Sequence, residues 1–356
     1  IFPLVMRKYF VSTFLQSFLS GAYYKLETIL PFTLVGVILV YPVLILFYRI
    51  IPTQTIENRK GLLIFIAQSL VIYGFSIITI NNLSFWNANN FVAYDYFARK
   101  GEWNKIVEMA RKDNPNDKLS LVYLNLALSK TGQLGNQIFY FKQSGTDGLL
   151  VNDNNNNYEP YLVGSELYFH LGLVNVAQYF AFEGIESAPD HKKNVRCIKR
   201  LAETNLVNGQ YTVAFKYLKL LEKTLFYSKW AKDKLTYLNN EAMINNDKEY
   251  CLLRKFNPKS DYFFTYDQVD VILRVCMKDN PQNIRAFEYL LSYYMLKKDL
   301  KSFKSFYSLG KEVMKNNVPK SFQEVVVYII SHQVDRIDKS NIPGFITPEV
   351  LNSLNL

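Results

Sequence analysis

Residues that carry chemistry are scarce in this chain of 356 residues. It has three cysteines, Cys197, Cys251 and Cys276, and three histidines, His170, His191 and His332. The cysteines are odd in number, far apart and never in a Cys-x-x-Cys pair, which excludes a disulfide framework and a zinc ribbon. They read as buried free thiols. No histidine has a second ligand at local metal-binding spacing. Glycine-rich phosphate loops and nucleophile elbows are also missing. The sequence therefore offers no catalytic, cofactor-binding or metal-ligating residue, and no cofactor is expected. His170, between Phe169 and Leu171, reads as a satisfied, partly buried imidazole. The stretch from Asp153 to Glu159 alternates acidic and amide oxygens but lacks the glycine and final glutamate of a calcium loop. It reads as a polar surface loop.

Charge is missing from two long stretches. Thr28 to Tyr48 and Gly61 to Tyr94 contain no Asp, Glu, Lys or Arg. Within them, residues 29–50 and 62–80 are each long enough to cross a bilayer, since a core of roughly 30 Å needs about 20 apolar residues in a helix. Ten residues, Ile51–Lys60, separate them, so the two spans form a hairpin. Pro52 ends the first helix and Pro42 kinks it. Residues 1–28 are apolar but diluted by Ser, Thr and Gln, and read as an interfacial helix or the end of an earlier span. Apolar sequence from Ile1 onward leaves room for further membrane segments upstream.

Arg49, Arg59 and Lys60 in the connecting loop favour the cytoplasm for that loop. The remainder of the chain is then expected outside the cytoplasm, on the inner membrane of a bacterium. The abundance of Asn, Lys, Ile, Tyr and Phe suggests an AT-rich bacterial coding sequence. The net charge of +10 is spread in short clusters, such as Lys192, Lys193, Arg196, Lys199 and Arg200. These read as solubilising side chains on helix faces, and nucleic acid is not expected as a partner.

After residue 82 the sequence is a succession of helical patterns broken at Gly, Asn and Pro. Turn glycines stand at 101, 132, 172 and 209, and Lys298-Asp299 marks a fifth turn. Ala177 lies five and Pro189 seventeen residues beyond Gly172, Ala214 lies five beyond Gly209, and Pro115 precedes Gly132 by seventeen. These intervals resemble the tetratricopeptide repeat, a helix–turn–helix unit of 34 residues. Turn-to-turn steps of 31, 40 and 37 residues make the array irregular. The arrangement of membrane helices followed by degenerate repeats also resembles integral membrane proteins of Bacteroidota whose function is uncharacterised.

The expected fold is all-α: a transmembrane helical hairpin at 29–81, then an irregular α-solenoid over 82–340 and a tail at 341–356. What the repeat resemblance implies is a protein–protein interaction scaffold beside the lipid bilayer. Its binding groove would lie on the first-helix faces, at Tyr94, Asn125, Tyr168 and Tyr289. The alternative is a C-terminal accessory domain of a larger polytopic membrane enzyme, such as a glycosyltransferase, with its catalytic part upstream.

Overall fold

A computed structural model describes residue 42 and residues 59–83, 86–151, 158–187, 194–260, 264–265, 268–314, 317–332 and 342–353. The first expected span, 29–50, lies outside the described residues apart from helical Pro42, as does segment 1–28. Among the described residues the chain is all-helical, without a strand. It divides into two compact units, residues 1–89 and 90–356.

In the first unit, helix α1 (Arg59–Leu83) contains the whole 62–80 segment. Leu62, Leu63, Ile66, Leu70, Val71, Ile72, Tyr73, Ile77 and Ile78 are exposed on it. Side chains at 64, 65, 75, 76, 79 and 80 lie outside the description. Among the described residues, no helix is long and apolar enough to cross a membrane.

The second unit starts within α2 (Trp86–Lys100) and continues with α3 (Trp103–Lys112), α4 (Lys118–Lys130), the short α5 (Leu134–Gln137), α6 (Tyr158–His170), α7 (Val174–Glu186), α8 (Val195–Val207) and α9 (Tyr211–Glu222). Three short helices follow, α10 (Ser228–Leu235), α11 (Glu241–Asn246) and α12 (Lys248–Phe256). The chain ends with α13 (Val269–Asp279), α14 (Ile284–Lys297), α15 (Leu300–Met314), α16 (Lys320–Ser331) and α17 (Pro348–Ser353). Several helix starts are set by polar caps. Asp117, Asn194, Asp247 and Asn283 each accept a hydrogen bond from a first-turn amide of α4, α8, α12 and α14, satisfying donors that the helix itself leaves open.

The helices come in antiparallel pairs with one recurring turn. Gly101, Gly132, Gly172, Gly209 and Lys298, the five positions marked as turns in the sequence, have φ of 69°, 69°, 86°, 72° and 59°. At each, the next residue donates its amide to the carbonyl five residues back, as in Leu173 N to Tyr168 O at 2.9 Å and Asp299 N to Tyr294 O at 2.9 Å. This double-bonded ending closes a helix and reverses the chain. At Gly172 the requirement is strongest: a Cβ there would stand 2.4 Å from Phe256 Cβ, so both the backbone angle and the space exclude a side chain.

Close approach also fixes the α6–α7 pair. A Cβ on Gly164 would sit 2.3 Å from Phe180 Cδ1. Phe180 is fully buried against Tyr168, with ring centroids 5.1 Å apart. Gly164→Ala is expected to lower the unfolding free energy by about 1–3 kcal/mol, the usual cost of overpacking a filled core. Urea unfolding followed by helical circular dichroism measures it. An unchanged midpoint would mean that this pair is loosely packed.

The array does not stay open. Elements from the end of the chain fold back on α4, on α5 and on the end of α6. Asn283 Nδ2 donates to Leu171 O at 3.0 Å, and Arg285 Nη1 to His170 O at 3.1 Å. Lys320 N donates to Asn136 Oδ1 at 2.8 Å, and Ser321 Oγ bonds Gly135 O. The segment 145–151 is pinned: Asn125 Nδ2 donates to Gly148 O and Tyr168 Oη to Val151 O, and Leu149 to Val151 are buried. The expected tail holds α17, whose Val350 packs with Val327 and Ile346.

Candidate functional site

Charged side chains at helical spacing meet inside the second unit. Tyr123 and Lys130 lie on α4, Glu166 and His170 on α6, and Arg196, Arg200 and Glu203 on α8. Spacings of four and seven residues put each set on one face of its helix. Asp95 from α2 and Glu249 from α12 complete the group.

Two linked clusters result. In the first, Arg196 Nη1 lies 2.6 Å from Asp95 Oδ1. Tyr123 Oη donates to the same carboxylate at 2.6 Å and accepts from Arg196 Nη2 at 3.2 Å. Arg99 approaches Asp95 Oδ2 at 3.2 Å. In the second, Arg200 Nη2 donates to Glu166 Oε2 at 2.7 Å, and its Nη1 stands 3.0 Å from Glu203 Oε2. Its guanidinium lies 3.8 Å from the Phe169 ring centroid. Arg196 Nη2, 3.8 Å from Glu166 Oε2, joins the clusters.

His170 extends the second cluster toward solvent. Its Nε2 is 3.2 Å from Glu166 Oε1 and its Nδ1 is 2.9 Å from Glu249 Oε1. Only a ring carrying both protons donates to both carboxylates. Lys130 Nζ donates to Glu249 Oε1 at 3.0 Å, and Trp103 sets its edge on the imidazole at 5.1 Å.

The titration behaviour follows from this crowding. Burial alone would raise the Glu166 carboxyl, but Arg200, His170 and Arg196 outweigh it and hold it well below the usual range. Burial opposes ionisation at Glu249 too, and His170 with Lys130 reverses it. The Lys130 ammonium is lowered by burial, with Glu249 opposing. Burial pushes the thiols of Cys197 and Cys276 up to about 11 and about 12, which leaves them protonated and unreactive at neutral pH. Among the described residues, no three His, Cys, Asp or Glu side chains could hold a metal ion.

Both ring nitrogens of His170 face carboxylates, and Lys130 Nζ also stands 3.3 Å from Nδ1. What the arrangement does is tie α2, α4, α6, α8 and α12 together through groups that tolerate few alternative positions. Such buried ion networks favour one arrangement of helices over others more than they add stability.

The positions expected to line a groove are elsewhere. Tyr94, Asn125, Tyr168 and Tyr289 are exposed by only 1%, 0%, 0% and 0%. They are core residues: the segment around Gly148 and Val151 covers Asn125 and Tyr168, and the three tyrosines belong to one apolar core. Arg196 and Arg200 correct a second expectation: Arg200 is buried, Arg196 is partly buried, and both are ion-paired rather than solubilising. The clue available in sequence was their placement, four residues apart, on the same side of α8 as Glu203. His170 does lie half-buried with partners. His332 sits at the exposed end of α16, and His191 lies outside the described residues, as do positions 152–157 of the polar loop.

Paired helices joined by left-handed turns around a buried ion network define the class of this protein as all-α and helix-paired. Over residues 1–355 the chain matches, and belongs to, a family described as a family of unknown function (DUF6057). Comparison with curated proteins and with solved structures gave no match.

Proposed function

We propose that this protein is a membrane-anchored helical-repeat scaffold that holds a protein partner beside the bilayer. The observation that carries the reading is the combination of an apolar α1 with a separate unit of paired helices. Helix α1 has 25 residues, about 37 Å of helix, and its described apolar side chains are exposed along its length. Apolar residues all around a helix suit a lipid environment. The five left-handed turns support the tetratricopeptide-like reading of the second unit, now as a closed array rather than an open solenoid. One family spans the apolar first quarter and the paired helices together, so the two recur as one arrangement.

With the first-helix faces filled, the partner docks on the outer surface, where Tyr96, Phe139, Tyr140, Tyr179 and Phe182 are exposed. The basic loop before α1 stays in the cytoplasm and the second unit lies on the other side. The full chain, expressed in bacterial membranes, is expected to resist alkaline carbonate extraction. Val71→Arg with Ile72→Arg should move it largely to the soluble fraction, because each arginine at a span centre costs about 2.5–3.5 kcal/mol. Extraction of the unmodified chain would end the anchor reading. Photo-crosslinkers at Tyr140 and Phe182 test the scaffold. A discrete adduct common to repeated preparations supports it, and the absence of adducts at every exposed aromatic position overturns it.

A further inference from the structure

The turn after α9 carries two adjacent apolar side chains that stand clear of the second unit. Phe226, 77% exposed, is the most exposed large apolar side chain described in this unit, and its neighbour Leu225 is 73% exposed. They project from a surface that is strongly one-sided in charge. Residues 211–235 contain six lysines and two acids. Lys216, Lys219, Lys223, Lys229 and Lys232 are all exposed. Lys219 pairs with Glu222 at 2.9 Å, and the sixth, Lys234, turns inward to Asp247 at 3.1 Å. Val213, Phe215 and Leu220 are exposed on either side of the lysine row along α9.

The base of the turn is built rigidly. Ala214, Leu218, Leu221 and Ala231 are fully buried beneath it. Thr224 Oγ1 donates to Leu221 O at 2.7 Å and accepts from Tyr227 N at 3.3 Å, so the chain is held folded while Leu225 and Phe226 point away. Trp230 is half-buried behind them with Lys199 over its ring at 5.1 Å. An apolar tip at the end of a row of exposed lysines matches a bilayer interface: acyl chains receive the tip and anionic headgroups meet the ammonium groups. A soluble protein partner would be expected to supply carboxylates but not a continuous apolar layer around the tip.

We infer that the α9–α10 turn is a second, peripheral membrane contact, in which Leu225 and Phe226 enter the interface of an anionic bilayer while Lys216, Lys219, Lys223 and Lys229 bind its headgroups. The inference rests on the membrane-anchored reading and adds a docked position for the second unit. The occupant is lipid.

The test uses the full chain in nanodiscs, either phosphatidylcholine alone or equal parts phosphatidylcholine and phosphatidylglycerol, with brominated acyl chains. Phe226→Trp is expected to add emission that bromolipid quenches at least about twofold in the anionic discs and much less in the neutral ones. Replacing Lys216, Lys219, Lys223 and Lys229 by Gln should remove that difference, since each lysine near an anionic surface contributes about fivefold in binding. Tyr140→Trp, exposed on a different part of the unit, gives the comparison signal. Unquenched added emission from Phe226→Trp, in a chain that incorporates normally, overturns the docking and leaves the anchor standing. A chain that does not enter nanodiscs ends the anchor reading, and the quenching is then read with brominated vesicles added from outside. Loss of a dimer in detergent on Leu225→Ser with Phe226→Ser would instead assign the tip to a second copy of the chain and overturn the lipid assignment.

Discussion

Arg200→Met should destabilise the second unit by about 3–5 kcal/mol, the range for breaking a buried ion pair by removing one partner. Arg200 is buried between two carboxylates, Glu166 and Glu203, both themselves buried. Methionine fills much of the space and keeps a contact with Phe169, so the loss comes from two acids left without their guanidinium. Arg200→Lys should fall between, because an ammonium restores charge without the fork that spans both acids. Adding Glu166→Gln to Arg200→Met should recover part of the loss, so the two substitutions together cost less than their sum. Trp103, in contact with His170, makes its fluorescence a local reporter during urea unfolding. A loss below about 1 kcal/mol for Arg200→Met would show that solvent reaches the network and screens it.

Glu288→Gln should do the opposite, and only at the alkaline end. Glu288 lies buried on α14, and burial raises its carboxyl from 4.5 to about 7. For an acid raised on folding, the native state binds the proton more tightly than the unfolded chain does. Below about pH 4.5 both states are protonated and nothing is lost. As pH rises from about 4.5 to about 7 the unfolded carboxyl ionises while the folded one stays protonated, so about 3 kcal/mol of stability is lost across that window and the loss levels off above it. Glutamine removes that cost. The variant is expected to gain about 3 kcal/mol at pH 8 and less than about 1 kcal/mol at pH 5. Glu166 and Glu249 are shifted downward and so add their own pH dependence only below the range compared. An equal gain at pH 5 and pH 8 would mean that glutamine improves packing and that titration is not involved.

The punctuation of the second unit was legible in sequence because it is local. A glycine that must take a positive φ is visible as a glycine, and Gly101, Gly132, Gly172 and Gly209 mark turns from the sequence alone. The fifth turn is formed by Lys298 with φ 59°, although a lysine is disfavoured in that backbone region. The apolar segment 62–80 likewise falls within one helix, α1. What could not be read was the inner face. Whether Tyr168 or Tyr289 meets solvent depends on contacts such as Asn283 with Leu171, 112 residues apart, and no local pattern encodes them. The same reason hid the role of Arg196 and Arg200. On a surface helix their spacing suits solvation, and only the arrival of Asp95 and Glu166 from other helices draws them into an ion network.

Closure of the array has a consequence for how the protein is made. Lys130 meets Glu249 across 119 residues, and Ser321 meets Gly135 across 186. At ribosomal speeds of about 5–20 residues per second, α4 and α6 wait roughly 6–20 s or longer for the segments that cover them. During that interval Leu124, Leu128, Tyr168 and half of an ion network stand open. A nascent chain in this state exposes apolar surface of the kind that promotes aggregation and that holding chaperones cover.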